Sequence, residues 1–206
     1  GEARRAAARA WRRYHGEVLR VAELVPVTEA EGPGSRLALW LQGCSLRCPG
    51  CCNPGMLDPA GGREMAVEEV LAEAERVRGR IEGITLVGGE PFEQAPELAR
   101  LAREARRRGL SVVVFTGWAL EELRGGAVAG AGALLAEADL LVDGRYRLEE
   151  PEPERRWVGS ANQRFHFLTD RYPPGIEWPG PGPVERTVEL RLTADGRLHA
   201  SGWPEW

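Results

Sequence analysis

Short apolar runs alternate with helical patterns along the central part of this 206-residue chain, and that alternation restricts its fold more than any other feature. Most residues within each run are hydrophobic, as is typical of strands that are buried on both faces. Helical segments separate the runs, which is the order found in a parallel sheet covered by helices. The predicted strands span residues 18–27, 36–42, 81–87, 110–115 and 138–142, and the predicted helices span residues 65–78, 96–108 and 118–123. The sequence therefore predicts an α/β domain.

Composition indicates the size and the boundaries of this domain. Hydrophobic residues make up 43% of the chain and charged residues 28%, which is typical of a folded protein with a substantial core. Residues 1–16, rich in alanine and arginine, are expected to form a helical appendage to a core domain of residues 17–172. Residues 173–206 form an extension, in which a linker rich in proline and glycine precedes a β-hairpin around Ala194-Asp195-Gly196.

Charge and hydropathy exclude several classes of partner. The formal net charge is −4, so the chain as a whole has no general attraction to nucleic acid or to an anionic membrane. No apolar stretch reaches the length of a membrane span, and the N-terminus lacks the apolar core of a signal peptide. We therefore expect a cytoplasmic protein that contacts neither nucleic acid nor membrane. In a reducing compartment, clustered cysteines are more often metal ligands than disulfides.

Three cysteines lie in one loop after the second predicted strand, at Cys44, Cys48 and Cys51, with the spacing C-x3-C-x2-C. Thiolates suit iron–sulfur clusters and zinc alike. A structural zinc site needs four ligands, usually from two separated pairs, and neither a second pair nor a histidine lies near this loop. Zinc and a disulfide remain alternatives, but a cluster held by three thiolates fits best. Such a cluster leaves one iron without a protein ligand.

Four candidate functional residues follow the ends of four predicted strands. They are Cys44, Gly88, Thr116 and Asp143. Because the carboxyl ends of parallel strands meet at one edge of a sheet, we expect these residues to lie around a common site.

Gly88-Gly89-Glu90-Pro91 ends an apolar run, and together with the cysteine spacing it resembles the radical S-adenosylmethionine superfamily. The resemblance implies a [4Fe–4S] cluster on the three cysteines, whose open iron chelates the amino and carboxylate groups of S-adenosylmethionine. It also implies that an electron from the cluster cleaves the cofactor to a 5′-deoxyadenosyl radical, so that no protein side chain is the reactive group. Glycines permit close approach of the backbone to the methionine amino group, and the Glu90 carboxylate could pair with that ammonium.

More of the chain resembles one branch, the activating enzymes of anaerobic, class III ribonucleotide reductases. The activity that this implies is abstraction of hydrogen from a partner polypeptide, which leaves a glycyl radical on an anaerobic ribonucleotide reductase-like enzyme. The implied fold is a partial (β/α)6-type radical SAM barrel, open on one side, because a complete eight-stranded barrel needs about 250 residues. The resembling segments are residues 32–36, 43–53, 88–92, 115–118, 142–146 and 157–163.

The resemblance also implies a set of cofactor contacts. Gly88, Gly89 and Glu90 hold the methionine end, Thr116 and Asp143 line the cofactor pocket, and Asn162 and Gln163 lie at its rim. Simpler roles remain open for the last three residues, since Asp143 could cap a turn and the two amides could satisfy backbone groups of a loop. Cys52 is expected to stay off the metal, as a small buried side chain.

Two other functions remain open at this point. Radical chemistry could act on a small peptide or a metabolite, in which case the extra hairpin could bind a peptide strand. A non-catalytic iron–sulfur protein in redox chemistry or sensing is the alternative of another class, and the intact Gly88–Glu90 turn argues against it. The expected partners are a glycyl radical enzyme or a peptide substrate, and an external one-electron donor such as flavodoxin or ferredoxin.

Overall fold

A computed structural model describes residues 18–179, 188–192, 196 and 198–202 of the chain. The predicted N-terminal helix of residues 1–16 lies outside these residues, as does part of the predicted linker. No helix among the residues described is long and apolar enough to span a membrane.

The described residues form one seven-stranded sheet and a separate two-stranded hairpin. The strands of the large sheet are β1 Val18–Thr28, β2 Arg36–Leu41, β3 Arg63–Ala66, β4 Gly83–Gly88, β5 Ser111–Phe115, β6 Leu140–Asp143 and β7 Arg164–Phe167, in the order β3-β1-β2-β4-β5-β6-β7. The pairs β2–β4, β4–β5 and β5–β6 are parallel, whereas β1, β3 and β7 pair antiparallel with their neighbours. The predicted α/β domain with a sheet rich in parallel strands is thus confirmed.

The prediction of six parallel units is wrong for the described residues, because only four strands of the large sheet are parallel to one another. The first predicted strand is β1, which is joined to β2 by the short turn of residues 29–35 and pairs with it antiparallel. A parallel pair needs a crossover of a dozen or more residues, so this turn can form only a hairpin. Gly32 and Gly34 in the turn have φ values of 125° and 71°, which favour glycine.

Among the residues that the structure describes, four α-helices follow the strands in the order expected for crossover connections. They are α1 Val67–Arg76, α2 Ala95–Arg107, α3 Leu120–Arg124 and α4 Ala131–Leu135. Helix α1 begins later than the predicted start at residue 65, because Arg63–Ala66 pairs with β1 as strand β3. At the start of α1 the side chain of Glu69 accepts a hydrogen bond from the Ala66 amide (3.1 Å), which satisfies a free backbone donor.

The helices pack on one face of the sheet and form the larger hydrophobic core with its strands. Val113, Leu140 and Val142 point to the opposite face, where Val158 and the segment around Tyr172 cover them. The fully buried Arg36 guanidinium also lies there and donates hydrogen bonds to Thr85 Oγ1 and to the Tyr172 hydroxyl (both 2.7 Å). This second face is thus closed at the amino ends of the parallel strands.

The predicted C-terminal hairpin is present as β8 Val188–Leu192 and β9 Leu198–Gly202. Its polar side faces the body of the protein, where the Glu189 carboxylate accepts a hydrogen bond from the Glu29 amide (2.6 Å) and the Gly202 amide donates to Glu31 Oε1 (2.8 Å). Its apolar side is outermost, with Val188, Leu190, Leu192 and Leu198 exposed. The hairpin therefore does not bury its apolar side in the core.

Candidate active site

The cysteine loop begins where β2 ends, and backbone hydrogen bonds close it at its base. The Gly43 amide donates to the Met56 carbonyl (2.9 Å), and the Cys44 amide donates to the Leu57 carbonyl (3.3 Å). The short 3₁₀ turn Pro54–Met56 ends the loop. The three predicted cluster cysteines therefore lie in one closed segment at the carboxyl edge of the parallel strands.

Burial and hydrogen bonds shift the pKa values of two of the three thiols. Burial raises the pKa of Cys44, and the opposing hydrogen bonds from the backbone amides of Leu46 and Arg47 only partly offset it. Hydrogen bonds from the Cys52 thiol and the Asn53 amide lower the pKa of Cys51 to about 6. The same thiol–thiol hydrogen bond raises the pKa of Cys52. Hydrogen bonds to sulfur are also among the factors that set the potential of an iron–sulfur cluster.

The thiols fit an iron–sulfur cluster in their chemistry. All four cysteines are free, and all of them line one cleft. In the part of the chain that the structure describes, no three cysteine, histidine or carboxylate side chains converge tightly enough to hold a single metal ion. A cluster does not require such convergence, because its thiolate ligands bind different irons.

The Gly88–Glu90 turn packs directly on the start of the cysteine loop. The Gly89 amide donates to the Leu41 carbonyl and the Glu90 amide to the Gly43 carbonyl, both at 2.8 Å. A Cβ at Gly89 would lie 2.2 Å from the Gly43 carbonyl oxygen, and Gly88 has a φ of 104°. Glycine is therefore required at both positions for the two backbones to approach, independently of any ligand.

The Glu90 carboxylate is buried, and groups of the chain already bind it. Oε1 accepts hydrogen bonds from the Phe92 amide (2.9 Å) and the Thr116 hydroxyl (2.8 Å), and Oε2 accepts one from the Gly117 amide (2.9 Å). Burial raises the pKa of Glu90 to about 7, against the effect of these donors. Glu90 thus ties the end of β4 to the end of β5, whereas the sequence suggested only a contact with a cofactor ammonium.

One cleft at the carboxyl edge collects most of the predicted site residues. Its lining includes Cys44, Cys48, Cys51, Gly88, Gly89, Glu90, Thr116 and Gln163. These residues lie at or after the ends of β2, β4 and β5, except for Gln163, which precedes β7. The expected convergence of strand-end residues is therefore confirmed for three of the four parallel strands.

Asp143 and Asn162 do not line this cleft. The fully buried Asp143 accepts hydrogen bonds from the Leu120 amide (2.6 Å) and from Arg164 Nε (3.0 Å) and Nη2 (2.6 Å). Nε2 of His166 lies 2.9 Å from Asp143 Oδ2, but it is not aligned for a hydrogen bond. Asp143 thus caps the start of α3, which agrees with the simpler of its two roles. Asn162 Nδ2 donates to the Arg145 carbonyl (2.9 Å).

Gln163 satisfies backbone groups of its loop, which is the simpler of the two roles considered for it. It lines the cleft, and its Oε1 accepts hydrogen bonds from the amides of Gly159 (3.0 Å) and Ser160 (3.1 Å). Its side chain is therefore held in place by the loop before β7.

Sequence reasoning missed two features of the cleft. Cys52 is exposed and lines it, so the expectation of a buried side chain is wrong. Tyr146 also lines the cleft, and the thiols Cys52 and Cys51 contribute to a raised pKa of Tyr146, after burial. Its position soon after the end of β6 was the available signal, since loops after parallel strands form such sites.

Comparison with known proteins identifies the class to which this fold and cleft belong. The family model of the 4Fe-4S single cluster domain matches residues 30–166. The anaerobic ribonucleoside-triphosphate reductase-activating protein of Vibrio cholerae is 32% identical over 151 residues, which cover 70% of this chain and 95% of the relative. The protein of the same name from Salmonella typhimurium is 31% identical and covers 73% of this chain and 99% of its own. A crystal structure of QueE from Escherichia coli aligns with a TM-score of 0.40 and 20% identity, over 48% of this chain and 53% of that one.

The match to the family model covers the cysteine loop, the Gly88–Glu90 turn and all four parallel strands. The chain belongs to the radical S-adenosylmethionine family of activating enzymes. The cofactors of this family are a [4Fe–4S] cluster and S-adenosylmethionine.

Proposed function

We propose that this protein uses a cluster on Cys44, Cys48 and Cys51 to cleave S-adenosylmethionine and abstract hydrogen from a glycine of a partner polypeptide. The partner in this proposal is an anaerobic ribonucleotide reductase-like enzyme, by analogy with the names of the relatives. One observation carries the proposal: the three thiols and the Gly88–Glu90 turn line the same cleft at the carboxyl edge of the parallel strands.

The residues of the chain bind and orient the cofactors in this proposal. When bound, the cluster and S-adenosylmethionine supply an electron and a 5′-deoxyadenosyl radical, which is chemistry that no side chain provides. The three thiolates hold the cluster. The backbone of Gly88 and Gly89 binds the methionine end, and Glu90 holds Thr116 and Gly117 against that turn through two of its three hydrogen bonds. Gln163 contributes its fixed amide at the rim.

The architecture around the cleft supports a macromolecular substrate. We propose a partial barrel, open on one side, with residues 17–172 as the core domain and residues 173–206 as an extension. The exposed apolar side of the hairpin, with Leu190, Leu192 and Leu198 outermost, offers a surface that a partner polypeptide could cover. A one-electron donor such as flavodoxin or ferredoxin and a reducing, cytoplasmic setting complete the proposal, in line with the four free thiols.

Reaction of the reduced protein with a reductase that carries a C-terminal glycyl loop tests the proposal. We expect 5′-deoxyadenosine to form and electron paramagnetic resonance to show a glycine-centred doublet on the reductase. The matched control replaces the reactive glycine of the reductase by alanine, which should abolish the doublet. A modified peptide or metabolite without any glycyl radical would support the alternative substrate class and contradict this proposal.

A further inference from the structure

We propose that Gln42 and Gln94 are positioning residues that fix the cysteine loop against the Gly88–Glu90 turn. Neither residue lines the cleft, and nothing in the sequence pattern gave either of them a role. The inference rests on the proposed function only in taking Cys44, Cys48 and Cys51 as the cluster ligands. It concerns how the two parts of the cofactor site are held in register.

Gln42 joins the two ends of the cysteine loop through its side chain. It is 5% exposed, and its Nε2 donates hydrogen bonds to the Gly55 carbonyl (3.1 Å) and the Asp58 carbonyl (2.7 Å). The chain packs closely around this amide, since a Cβ at Gly61 would lie 2.6 Å from Nε2. The loop that carries the three cysteines therefore begins at Gln42 and is tied back to the same residue.

Gln94 joins the Gly88–Glu90 turn to the strands beside that loop. It ends the 3₁₀ turn Pro91–Gln94, which directly follows Glu90. Its Oε1 accepts a hydrogen bond from the Arg20 amide (2.7 Å), and its Nε2 donates to the Arg20 carbonyl (2.9 Å) and the Gln42 carbonyl (3.1 Å). One amide thus connects β1, the end of β2 and the start of α2.

The two side chains depend on each other, and each of them needs the Nε2 donor of its amide group. Gln94 holds the backbone of Gln42, and the side chain of Gln42 holds the far end of the loop, so a shift at either one moves the thiols relative to Gly89. An ionised glutamate has nearly the same shape but cannot donate a hydrogen bond. At position 42 its carboxylate would face two carbonyl oxygens, and at position 94 it would keep only the bond from the Arg20 amide.

The test compares Gln42→Glu and Gln94→Glu with the wild type, as anaerobically reconstituted proteins, by hydrogen exchange and by S-adenosylmethionine binding. Each lost hydrogen bond corresponds to roughly a fivefold change in a local opening equilibrium. We expect exchange of residues 43–58 to accelerate at least about fivefold in both variants, while the amides of β4 and β5 exchange as in the wild type. Glu69→Gln, at an exposed cap of α1, is the control and should change neither segment.

A purely structural role would not alter cofactor binding, so the second readout is the apparent affinity for S-adenosylmethionine. It is followed by the change in the paramagnetic resonance spectrum of the reduced cluster on titration. We expect it to weaken at least about fivefold in both variants. Unchanged exchange of residues 43–58, or affinity within about twofold of the wild type, overturns the inference.

If Gln42→Glu does not fold, Gln94→Glu decides the outcome by the same two criteria. A wild type that binds the cofactor but forms no 5′-deoxyadenosine would refute the proposed function alone, because neither readout depends on cleavage.

Discussion

Replacing Glu31 by glutamine should stabilise the fold at alkaline pH and leave it almost unchanged in acid. Glu31 is 7% exposed, and burial, the largest cause, raises its pKa to about 7. The Gly202 amide donates to Oε1 and acts in the opposite direction, as does Arg191, while Glu189 and Glu23 add to the rise. The folded protein therefore binds a proton at Glu31 more readily than the unfolded chain does.

The sign of the pH dependence follows from that difference. Below the ordinary value of 4.5 the carboxyl group is protonated in both states and costs nothing. As the pH rises from there to about 7, the unfolded chain loses its proton first, so the free energy of unfolding decreases and then stays low. At about 1.4 kcal/mol per pKa unit, the loss is on the order of 3 kcal/mol. Glutamine keeps an oxygen for the Gly202 amide but cannot ionise.

Urea unfolding between pH 4.5 and pH 8.5, followed by tryptophan fluorescence under anaerobic conditions, measures this effect. We expect the difference between Glu31→Gln and the wild type to grow across this range to about 2–3 kcal/mol. Glu29→Gln is the matched control, since Glu29 is exposed and lies two residues away. A difference that stays constant with pH, or one equal to that of the control, would refute the assignment of a buried, protonated Glu31.

Further predictions concern the cleft and the hairpin. Alanine at any one of the three cluster cysteines should abolish the cluster, whereas Cys52→Ala should retain about four irons per chain; a cluster lost in Cys52→Ala would contradict the ligand assignment. Gly89→Ala should lower the free energy of unfolding by roughly 1–3 kcal/mol, because its Cβ would meet the backbone of the cysteine loop. Gly132→Ala, with open space around it, is the control and should not destabilise the protein. Equal melting temperatures of the two variants would contradict this prediction. Thr116→Val removes the hydrogen bond to Glu90 and should lower the free energy of unfolding by roughly 1.5–3 kcal/mol, whereas Thr116→Ser should keep the hydrogen bond and the stability. Deletion of residues 180–206 should spare cofactor cleavage and abolish modification of the partner; insoluble protein would instead make the extension structural.

The parallel strands were predictable because they are buried and therefore mostly apolar. The same reasoning placed Cys44, Gly88 and Thr116 after strands, and the structure brings them into one cleft. Strand β7 was not predicted, because Arg164–Phe167 is a short edge strand with polar residues at alternate positions. Its pairing depends on β6, and that contact is not encoded locally.

The roles of individual polar residues were less predictable, because they depend on tertiary partners. The sequence Gly88-Gly89-Glu90-Pro91 does not indicate that the Thr116 hydroxyl and the Gly117 amide donate hydrogen bonds to the Glu90 carboxylate. Likewise, Asp143 forms an ion pair with Arg164, which lies 21 residues away in the chain. Gln42 directly precedes the cysteine loop and could have been noticed only through that position, since its hydrogen-bond partners lie at the other end of the loop.

Paramagnetic resonance of the reduced, reconstituted protein with and without S-adenosylmethionine tests whether the cluster has an iron that can bind the cofactor. We expect a [4Fe–4S] signal that changes on addition of the cofactor, because a cluster on the thiolates of Cys44, Cys48 and Cys51 would leave one iron open. We also expect 5′-deoxyadenosine to accumulate in the same sample. A cluster whose spectrum is unaffected by the cofactor, with no 5′-deoxyadenosine formed even in the presence of the partner, would contradict it.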